Sequence, residues 1–299
     1  MSGPGDPSAP IPSEPTPPLP GRPVPTVFFA SDYGLHDEFV GVVHAVLQRR
    51  VPGLRVVDLV HDLAPFDVRM AAFLLARAVV HLGPGTVLAV VDPGVGGPRR
   101  GVALSVAGAG PSWFVGPDNG LLVAAAERAG GIAAAFELTP PHRAGSAGPV
   151  SFDGRDLFAP VVAALCGGTP VERLGGRIDP ASLIRVAPPV DERRGSPDGG
   201  TRLRAEVLWV DRFGNLKLAS SAEAAGEGAA PLGRRVEGRV ERGSPGTFDL
   251  RRVRAFDDLT GDELGLMADA DGHLAVVGRQ RSAAAALGID VGDIIELSW

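Results

Sequence analysis

A short glycine-rich loop separates a carboxylate from an arginine in residues 86–104, TVLAVVDPGVGGPRRGVAL. The apolar run stops at Asp92, and Arg99 follows seven positions later. Such a loop can fold back and bring the two side chains together, where a guanidinium that never loses its proton would stabilise negative charge. The alternative is a solvated turn carrying a surface ion pair, which contributes about 0–1 kcal/mol.

Acids also follow two other apolar runs. Asp32 comes after TVFFA, and Asp62 comes after LRVVDLV. Open α/β sheets bind ligands beyond the carboxyl ends of their strands, so acids recurring there predict a polar pocket at one sheet edge. A carboxylate such as Asp32 can accept two hydrogen bonds from a vicinal diol, for example a ribose. A helix N-cap is the alternative for this residue.

Two further motifs carry acids at or just before the start of a predicted helix. VGPDNGLL (115–122) offers Asp118 or Asn119 as a helix N-cap. SFDGRDLFAP (151–160) has a similar design and carries Asp153. Taken separately, each motif is explained by a turn and a cap.

A third motif, DRFGN (211–215), lies much later in the chain and joins an acid, an aromatic ring and an amide. Phe213 could stack on a planar ring while Asn215 reads the edge of that ring. A hairpin turn is the alternative.

Several common chemistries have no signal in the sequence. It contains no Walker A loop, GxGxxG, GxSxG or CxxC motif, and its six histidines show no HExxH spacing. We therefore expect no metal and no cofactor. The net charge of −6 argues against a nucleic-acid-binding surface, which needs clustered basic residues.

The elements that must position these residues fall into two groups. Strands alternate with helices at first, which predicts an α/β domain over 26–186 with a mainly parallel sheet flanked by helices. Residues 187–202 form a polar, Pro/Gly-rich linker candidate, and short apolar runs then predict a β-barrel domain over 203–299. The predicted strands are 26–30, 54–60, 86–91, 101–107 and 112–116, and the predicted helices are 39–50, 67–82, 118–130 and 156–168.

Other features bear on where the protein works. Cys166 is the only cysteine, so no disulfide forms within the chain, as expected in a reducing cytoplasm. Residues 1–25 are Pro-rich and lack the pattern of a signal peptide, which predicts a disordered tail. No apolar run is long enough to span a membrane.

The ordered set of motifs resembles the S-adenosyl-L-methionine hydroxide adenosyltransferase (S-adenosylmethionine hydrolase) family, relatives of fluorinase and chlorinase. The motifs are SDYGLHDEFVG, LVHDLAPFDV, VVDPGVGGPRR, VGPDNGLL, SFDGRDLFAP and VDRFGNL. The resemblance implies an N-terminal α/β domain, a C-terminal β-barrel and a homotrimer whose active sites lie between subunits. It also implies a reaction of S-adenosyl-L-methionine with water that gives adenosine and L-methionine, without a cofactor.

The resemblance assigns roles motif by motif. Asp32 would bind the ribose diol, and Phe66 would form an aromatic wall beside it. Asp92 stands where an acid marks hydrolases rather than halogenases, and Arg99 matches the hydrolase arginine. The remaining substrate contacts implied by the resemblance are Asp37, Val95, Phe152, Asp211 near the methionine amino group, Phe213 and Asn215 at the adenine, and Phe256.

Two positions depart from the family pattern. Asp153 stands where hydrolases carry a histidine, so two acids and one arginine would crowd the catalytic group, and one acid can then stay protonated. Residues 268–281 lack the cation and hydroxyl that the family pattern would use to bind the methionine carboxylate. These departures keep two alternatives open: a weakly active or inactive adenosine or S-adenosylmethionine binding protein, and a halide-dependent 5′-halogenase, which the charge of Asp92 disfavours.

Overall fold

The computed structural model describes residues 24–139, 151–195, 200–222, 230–241 and 246–299. The chain divides into two compact units, one ending at Ala187 and the other beginning at Pro188. Nearly all of the predicted tail, residues 1–25, lies outside the described residues.

The first unit is built on a seven-stranded sheet in the order β2-β1-β3-β5-β4-β6-β7. Strands β2, β1, β3 and β5 run parallel, whereas the three remaining pairings are antiparallel. The strands are β1 Thr26–Ser31, β2 Arg55–Val60, β3 Thr86–Val90, β4 Gly101–Val106, β5 Trp113–Pro117, β6 Ile132–Leu138 and β7 Gly175–Ile178. The α/β prediction is confirmed: the first four strands in this order are parallel, and the antiparallel pairings begin at β4, which a short connection joins to β5.

The parallel strands form the centre of this unit. Strand β3 is buried along its whole length, as is β1 after its first residue. Their continuous apolar sequences follow from this burial, since helices cover both faces of a parallel sheet and leave no solvent-facing side.

Helices complete the first unit. They are α1 Phe39–Arg50, α2 Val68–Ala78, α3 Val123–Arg128 and α4 Ala159–Cys166, with a π-helical turn at Gly154–Phe158 ahead of α4. The helix predicted over 118–130 is shorter than expected, and its N-cap is Leu122. Asp118 does not cap it, because its Oδ1 accepts from the Ile184 amide at 2.9 Å. Asn119 accepts from the Leu121 amide at 3.2 Å through Oδ1, in the turn ahead of α3, and donates from Nδ2 to the Val91 carbonyl at 2.8 Å.

The second unit is the predicted β-barrel. The seven strands β9 to β15 close into a barrel, because β9 pairs with β10 as well as with β15. The strands of this unit are β8 Asp191–Gly195, β9 Thr201–Val210, β10 Leu216–Ser221, β11 Arg235–Val240, β12 Thr247–Arg252, β13 Leu264–Ala268, β14 His273–Gly278 and β15 Ile294–Ser298. Its one described α-helix is α5 Ala283–Leu287.

The segment expected to be a linker, 187–202, differs from that expectation. Strand β8 lies within it and pairs antiparallel with the first half of β9. Its sequence, DERRG, carries no apolar signal, because β8 is held by backbone pairing at the edge of the sheet and its side chains are largely exposed. Within the described ranges, no helix is long and apolar enough to cross a membrane.

Candidate active site

The carboxyl ends of β2, β1, β3 and β5 lie at one edge of the first sheet because these strands are parallel. Ser31 of β1 pairs in register with Val90 of β3. Asp32 and Asp92 therefore leave the ends of neighbouring strands at nearly the same level. The sheet edge predicted from the sequence collects these acids.

The loop after Asp92 turns back on itself. The Val95 amide donates to the Asp92 carbonyl at 3.2 Å, and the Gly97 amide donates to the Gly94 carbonyl at 3.0 Å. Gly96 has a φ of 76°, a left-handed conformation that glycine adopts without a steric penalty. These turns return the chain to the strand end, where Arg99 reaches Asp92.

Arg99 and Asp92 form a two-point ion pair. The Arg99 Nε donates to Asp92 Oδ1 at 2.9 Å, and its Nη2 donates to Asp92 Oδ2. The two side chains are 12% and 6% exposed, respectively, so the alternative of a solvated surface pair is wrong. In this sheltered position the charges are weakly screened, and the guanidinium can stabilise negative charge that develops beside it.

Asp153 completes the charged cluster. It precedes the π-helical turn, and its Oδ2 accepts from the same Nη2 of Arg99. The Asp153 side chain is 6% exposed. The Phe158 ring lies 5.2 Å from the guanidinium carbon of Arg99. One cation thus holds two buried carboxylates, which leaves the cluster with a surplus negative charge when both are ionised.

This crowding changes the acidity of Asp92. Burial raises the pKa of its carboxyl, contact with Arg99 lowers it, and the charge of Asp153 raises it again; the net result is a pKa above the ordinary value. Asp92 therefore binds a proton more readily than an exposed aspartate does, which suits a group that must accept one.

Tyr33 is a site residue that the sequence reasoning missed. Its ring packs edge-on against Phe152, with centroids 5.5 Å apart, and also lies 5.7 Å from the Phe39 ring. Burial raises the pKa of the Tyr33 phenol far above its ordinary value, and three nearby carboxylates add to the rise. The carboxylates are those of Asp32, Asp92 and Asp153. The available signal was that the chain's single tyrosine directly follows a candidate acid.

Asp32 fixes a second loop rather than a helix. Its Oδ2 accepts from the Phe66 amide at 3.0 Å, and α1 begins only at Phe39 with Glu38 as its N-cap, so the capping alternative is wrong. Phe66 has a φ of 69°, a strained conformation for a residue with a side chain, and its ring is 71% exposed. Among the described residues nothing donates to Oδ1 of Asp32, which leaves an acceptor available for a diol.

A series of side-chain hydrogen bonds holds the carboxyl end of β1 in place. The buried Ser31 hydroxyl lies 2.7 Å from Nδ1 of His61, and Nε2 of His61 lies 3.0 Å from Asp58 Oδ1. The Tyr33 amide also donates to the Ser31 hydroxyl, at 3.4 Å. The buried His61 of the LVHDL motif thus helps to hold the backbone from which Asp32 and Tyr33 project.

Three predicted site residues form a tight turn in the second unit. Asp211 Oδ1 accepts from the amides of Phe213 and Asn215 at 3.0 Å each, and its Oδ2 accepts from Asn215 Nδ2 at 2.8 Å. Gly214 has a φ of 81°. The Phe213 ring is 73% exposed, whereas Asn215 is buried. The turn therefore presents an exposed aromatic ring, and the Asp211 carboxylate holds the backbone of the turn in place.

The other predicted contacts have mixed positions. Phe152 lies with Tyr33 beside the charged cluster. Asp37 and Val95 are exposed on loops of the first unit, and Phe256 begins a short helical turn in the second unit with its ring 45% exposed. No group of three or more His, Cys, Asp or Glu residues with metal-binding geometry occurs in the described part of the chain.

Known proteins match both units. Residues 27–175 match the SAM hydroxide adenosyltransferase N-terminal domain model, and residues 205–296 match the C-terminal domain model. A Salinispora tropica protein named (R)-S-adenosyl-L-methionine hydrolase is 44% identical over 272 residues, which cover 91% of this chain and 97% of that protein. A Thermus thermophilus protein of the same name is 42% identical over 262 residues, covering 80% and 95%.

The structural comparison agrees with these matches. An uncharacterized conserved protein from Thermotoga maritima superposes with a TM-score of 0.78 at 32% identity, covering 91% of this chain and 99% of that one.

A fluorinase from an Actinoplanes species is a more distant sequence relative, at 27% identity over 277 residues that cover 84% of this chain and 89% of the fluorinase. The resemblance drawn from the motifs is confirmed.

Proposed function

The chain belongs to the SAM hydroxide adenosyltransferase family, and we propose that it hydrolyses S-adenosyl-L-methionine to adenosine and L-methionine. The observation that carries this proposal is the buried cluster of Asp92, Arg99 and Asp153 beside Asp32, at the carboxyl edge of the parallel strands. The high identity to proteins named (R)-S-adenosyl-L-methionine hydrolase supplies the substrate.

The reaction is a displacement at C5′ of the substrate. The oxygen of a water molecule forms a bond to C5′ while the bond from C5′ to sulfur breaks, and the sulfur keeps the electron pair as a neutral thioether. The water proton passes to Asp92 and then to solvent. The sulfonium is already a good leaving group, so placing the water in line with sulfur is the main task, and such positioning contributes about 7–11 kcal/mol in favourable cases.

Each charged residue then has a role. Asp92 accepts a hydrogen bond from the water and takes its proton, and Arg99 stabilises the hydroxide character that develops. Asp32 holds the ribose diol through its free oxygen, with Phe66 beside the sugar. When Asp92 and Asp153 are both ionised, their two negative charges exceed the single positive charge of Arg99. The net negative charge attracts a sulfonium cation and repels halide ions.

The second unit supplies the nucleoside contacts in this proposal. The exposed Phe213 ring would stack on adenine, and Asn215 would hydrogen-bond to its edge, with Asp211 holding both in place. Phe256 offers another exposed ring. We place these contacts in the active site of a neighbouring subunit, so that the protein works as a homotrimer.

Two other functions remain as competing outcomes. A weakly active binding protein is motivated by Asp153, whose charge works against the formation of hydroxide beside it. A 5′-halogenase is motivated by the distant fluorinase, but the fluorinase match is much weaker than the hydrolase matches.

Incubation of the purified protein with S-adenosyl-L-methionine in ¹⁸O-labelled water tests the reaction directly. Chromatography with mass detection should show adenosine carrying the label at its 5′-hydroxyl, together with methionine. Recovery of intact substrate would favour the binding protein. Formation of 5′-chloro-5′-deoxyadenosine in the presence of chloride would favour the halogenase, and unlabelled adenosine would contradict direct displacement by water.

Complementation tests the shared site. Asp92→Asn and Phe213→Ala chains should each be nearly inactive alone, and both should sediment as trimers. After subunit exchange, mixed trimers should regain activity, because some sites combine an intact Asp92 from one chain with an intact Phe213 from another. A fully active monomer, or mixed trimers without any recovery, would contradict this assembly.

A further inference from the structure

The Tyr33 hydroxyl lies beside the charged cluster, and it is a donor without a hydrogen-bond partner among the residues that the structure describes. The only hydrogen bond that the described residues give Tyr33 is the one donated by its backbone amide to Ser31. A Cβ atom added at Gly154 would lie 2.1 Å from the Tyr33 hydroxyl oxygen. The hydroxyl therefore sits directly over the backbone between Asp153 and Arg155, and it is free to bond to a molecule in the site.

Few donors are available among the neighbouring groups. Asp92 and Asp153 only accept hydrogen bonds when ionised, and Nε and Nη2 of Arg99 are already given to these carboxylates, so the described donors left at the cluster are Nη1 of Arg99 and the Tyr33 hydroxyl. The oxygens that share Nη2 lie close together, so one water molecule can donate its two protons to the two acids. One lone pair of this water must point at C5′, and the other lone pair needs a donor.

We propose that Tyr33 is a further catalytic residue, whose hydroxyl donates a hydrogen bond to the attacking water and thereby aims the remaining lone pair of that water at C5′. This inference rests on the proposed hydrolysis. The bond to water forms at the tyrosine O–H, no bond of Tyr33 breaks, and the water proton still leaves through Asp92.

The surroundings of the phenol favour this role. Its pKa is raised by burial and by the nearby carboxylates, so it stays a neutral donor throughout the working pH range. The rings of Phe29, Phe39 and Phe152 surround it and restrict its rotation. A fixed donor costs little reorganisation when the reaction occurs.

Tyr33→Phe removes the hydroxyl and keeps the ring that packs against these aromatics. Because a neutral hydrogen bond to the water is lost, we expect kcat to fall by about tenfold while KM stays within about twofold. The matched control is Thr86→Val, which also removes a hydroxyl, at the opposite end of β3 from Asp92. It should leave kcat unchanged. A Tyr33→Phe variant as active as the wild type overturns the inference.

A spectroscopic test does not depend on turnover. Since Tyr33 is the only tyrosine, growth with 3-fluorotyrosine labels this one position. We expect its ¹⁹F resonance to shift when S-adenosyl-L-methionine binds, and to shift differently in Asp92→Asn. A resonance that shifts neither on substrate binding nor in Asp92→Asn overturns the placement of Tyr33. A wild-type protein that binds but does not consume the substrate contradicts the proposed function, and the ¹⁹F response then still decides whether Tyr33 lies at the substrate site.

Discussion

Two substitutions beside Asp92 should shift the pH dependence of activity in opposite directions. The affected part is the acid limb of the profile, where activity falls as the pH drops. Asp92 must be ionised to take a proton from water, so kcat/KM falls as the pH drops through its pKa. That pKa is raised by burial and by Asp153 and is lowered by Arg99. Asp153→Asn should therefore move the acid limb to lower pH, and Arg99→Gln should move it to higher pH.

The size of the rate effect follows from what each variant removes. Arg99→Gln removes the charge that stabilises hydroxide, and loss of one such preorganised donor lowers kcat by about 10²–10³-fold. Asp153→Asn keeps an oxygen that can accept from Nη2, so we expect kcat to change by less than about tenfold.

The stability effects should also differ. Arg99→Gln leaves two buried carboxylates without their shared cation, and breaking a buried ion pair by removing one partner costs about 3–5 kcal/mol. Asp153→Asn instead removes the surplus negative charge, so its unfolding free energy at neutral pH should be no lower than that of the wild type.

Chromatographic measurement of adenosine formation across pH provides the assay, with circular dichroism marking the range in which each variant stays folded. Arg100→Gln is the matched control, because Arg100 is the next residue and donates to Asp118 and to the Ser182 carbonyl instead. It should lower the unfolding temperature without moving the acid limb. Acid limbs that move in the same direction for Asp153→Asn and Arg99→Gln would refute the assignment of Asp92 as the base.

Three other substitutions test neighbouring parts of the site. Asp32→Ala should weaken adenosine binding in calorimetry by about 1.5–3 kcal/mol, because bonds to a charged acceptor are lost, and unchanged affinity would argue against ribose binding. Gly154→Ala places a methyl group 2.1 Å from the present position of the Tyr33 hydroxyl, so kcat should fall as in Tyr33→Phe; wild-type turnover would show that the phenol can move harmlessly. Asp118→Ala strips Arg100 of its partner and should lower the midpoint of urea unfolding while kcat stays within about twofold, and a larger loss of kcat would place Asp118 in the catalytic machinery.

Local patterns were sufficient to predict the sheet edge and its acids. A buried parallel strand has a continuous apolar sequence, so the ends of β1 and β3 are visible as the points where Asp32 and Asp92 interrupt such runs. The pairing of Asp92 with Arg99 could also be predicted from the sequence, because it depends on a loop of a few residues whose glycines permit the turn.

Other parts of the fold depend on distant partners and leave little local signal. Asp118 has the sequence context of an N-cap, yet it binds the amide of Ile184, which is 66 positions away in the chain. Strand β8 is polar because backbone pairing with β9 holds it at a sheet edge. The role of Tyr33 is set by the closeness of Gly154, which only the folded chain reveals.

Asp153 decides how this site balances charge. Two ionised acids beside one arginine favour the sulfonium substrate, but that attraction weakens as the sulfur becomes neutral in the transition state, and the same charge opposes hydroxide. The raised pKa of Asp92 eases the conflict, because a carboxyl that readily takes the water proton removes one negative charge as the oxygen attacks. A neutral donor at Tyr33 can then orient the water without adding a charge of either sign. The acid at Asp153 is therefore compatible with hydrolysis as long as Asp92 acts as a base rather than as a fixed anion.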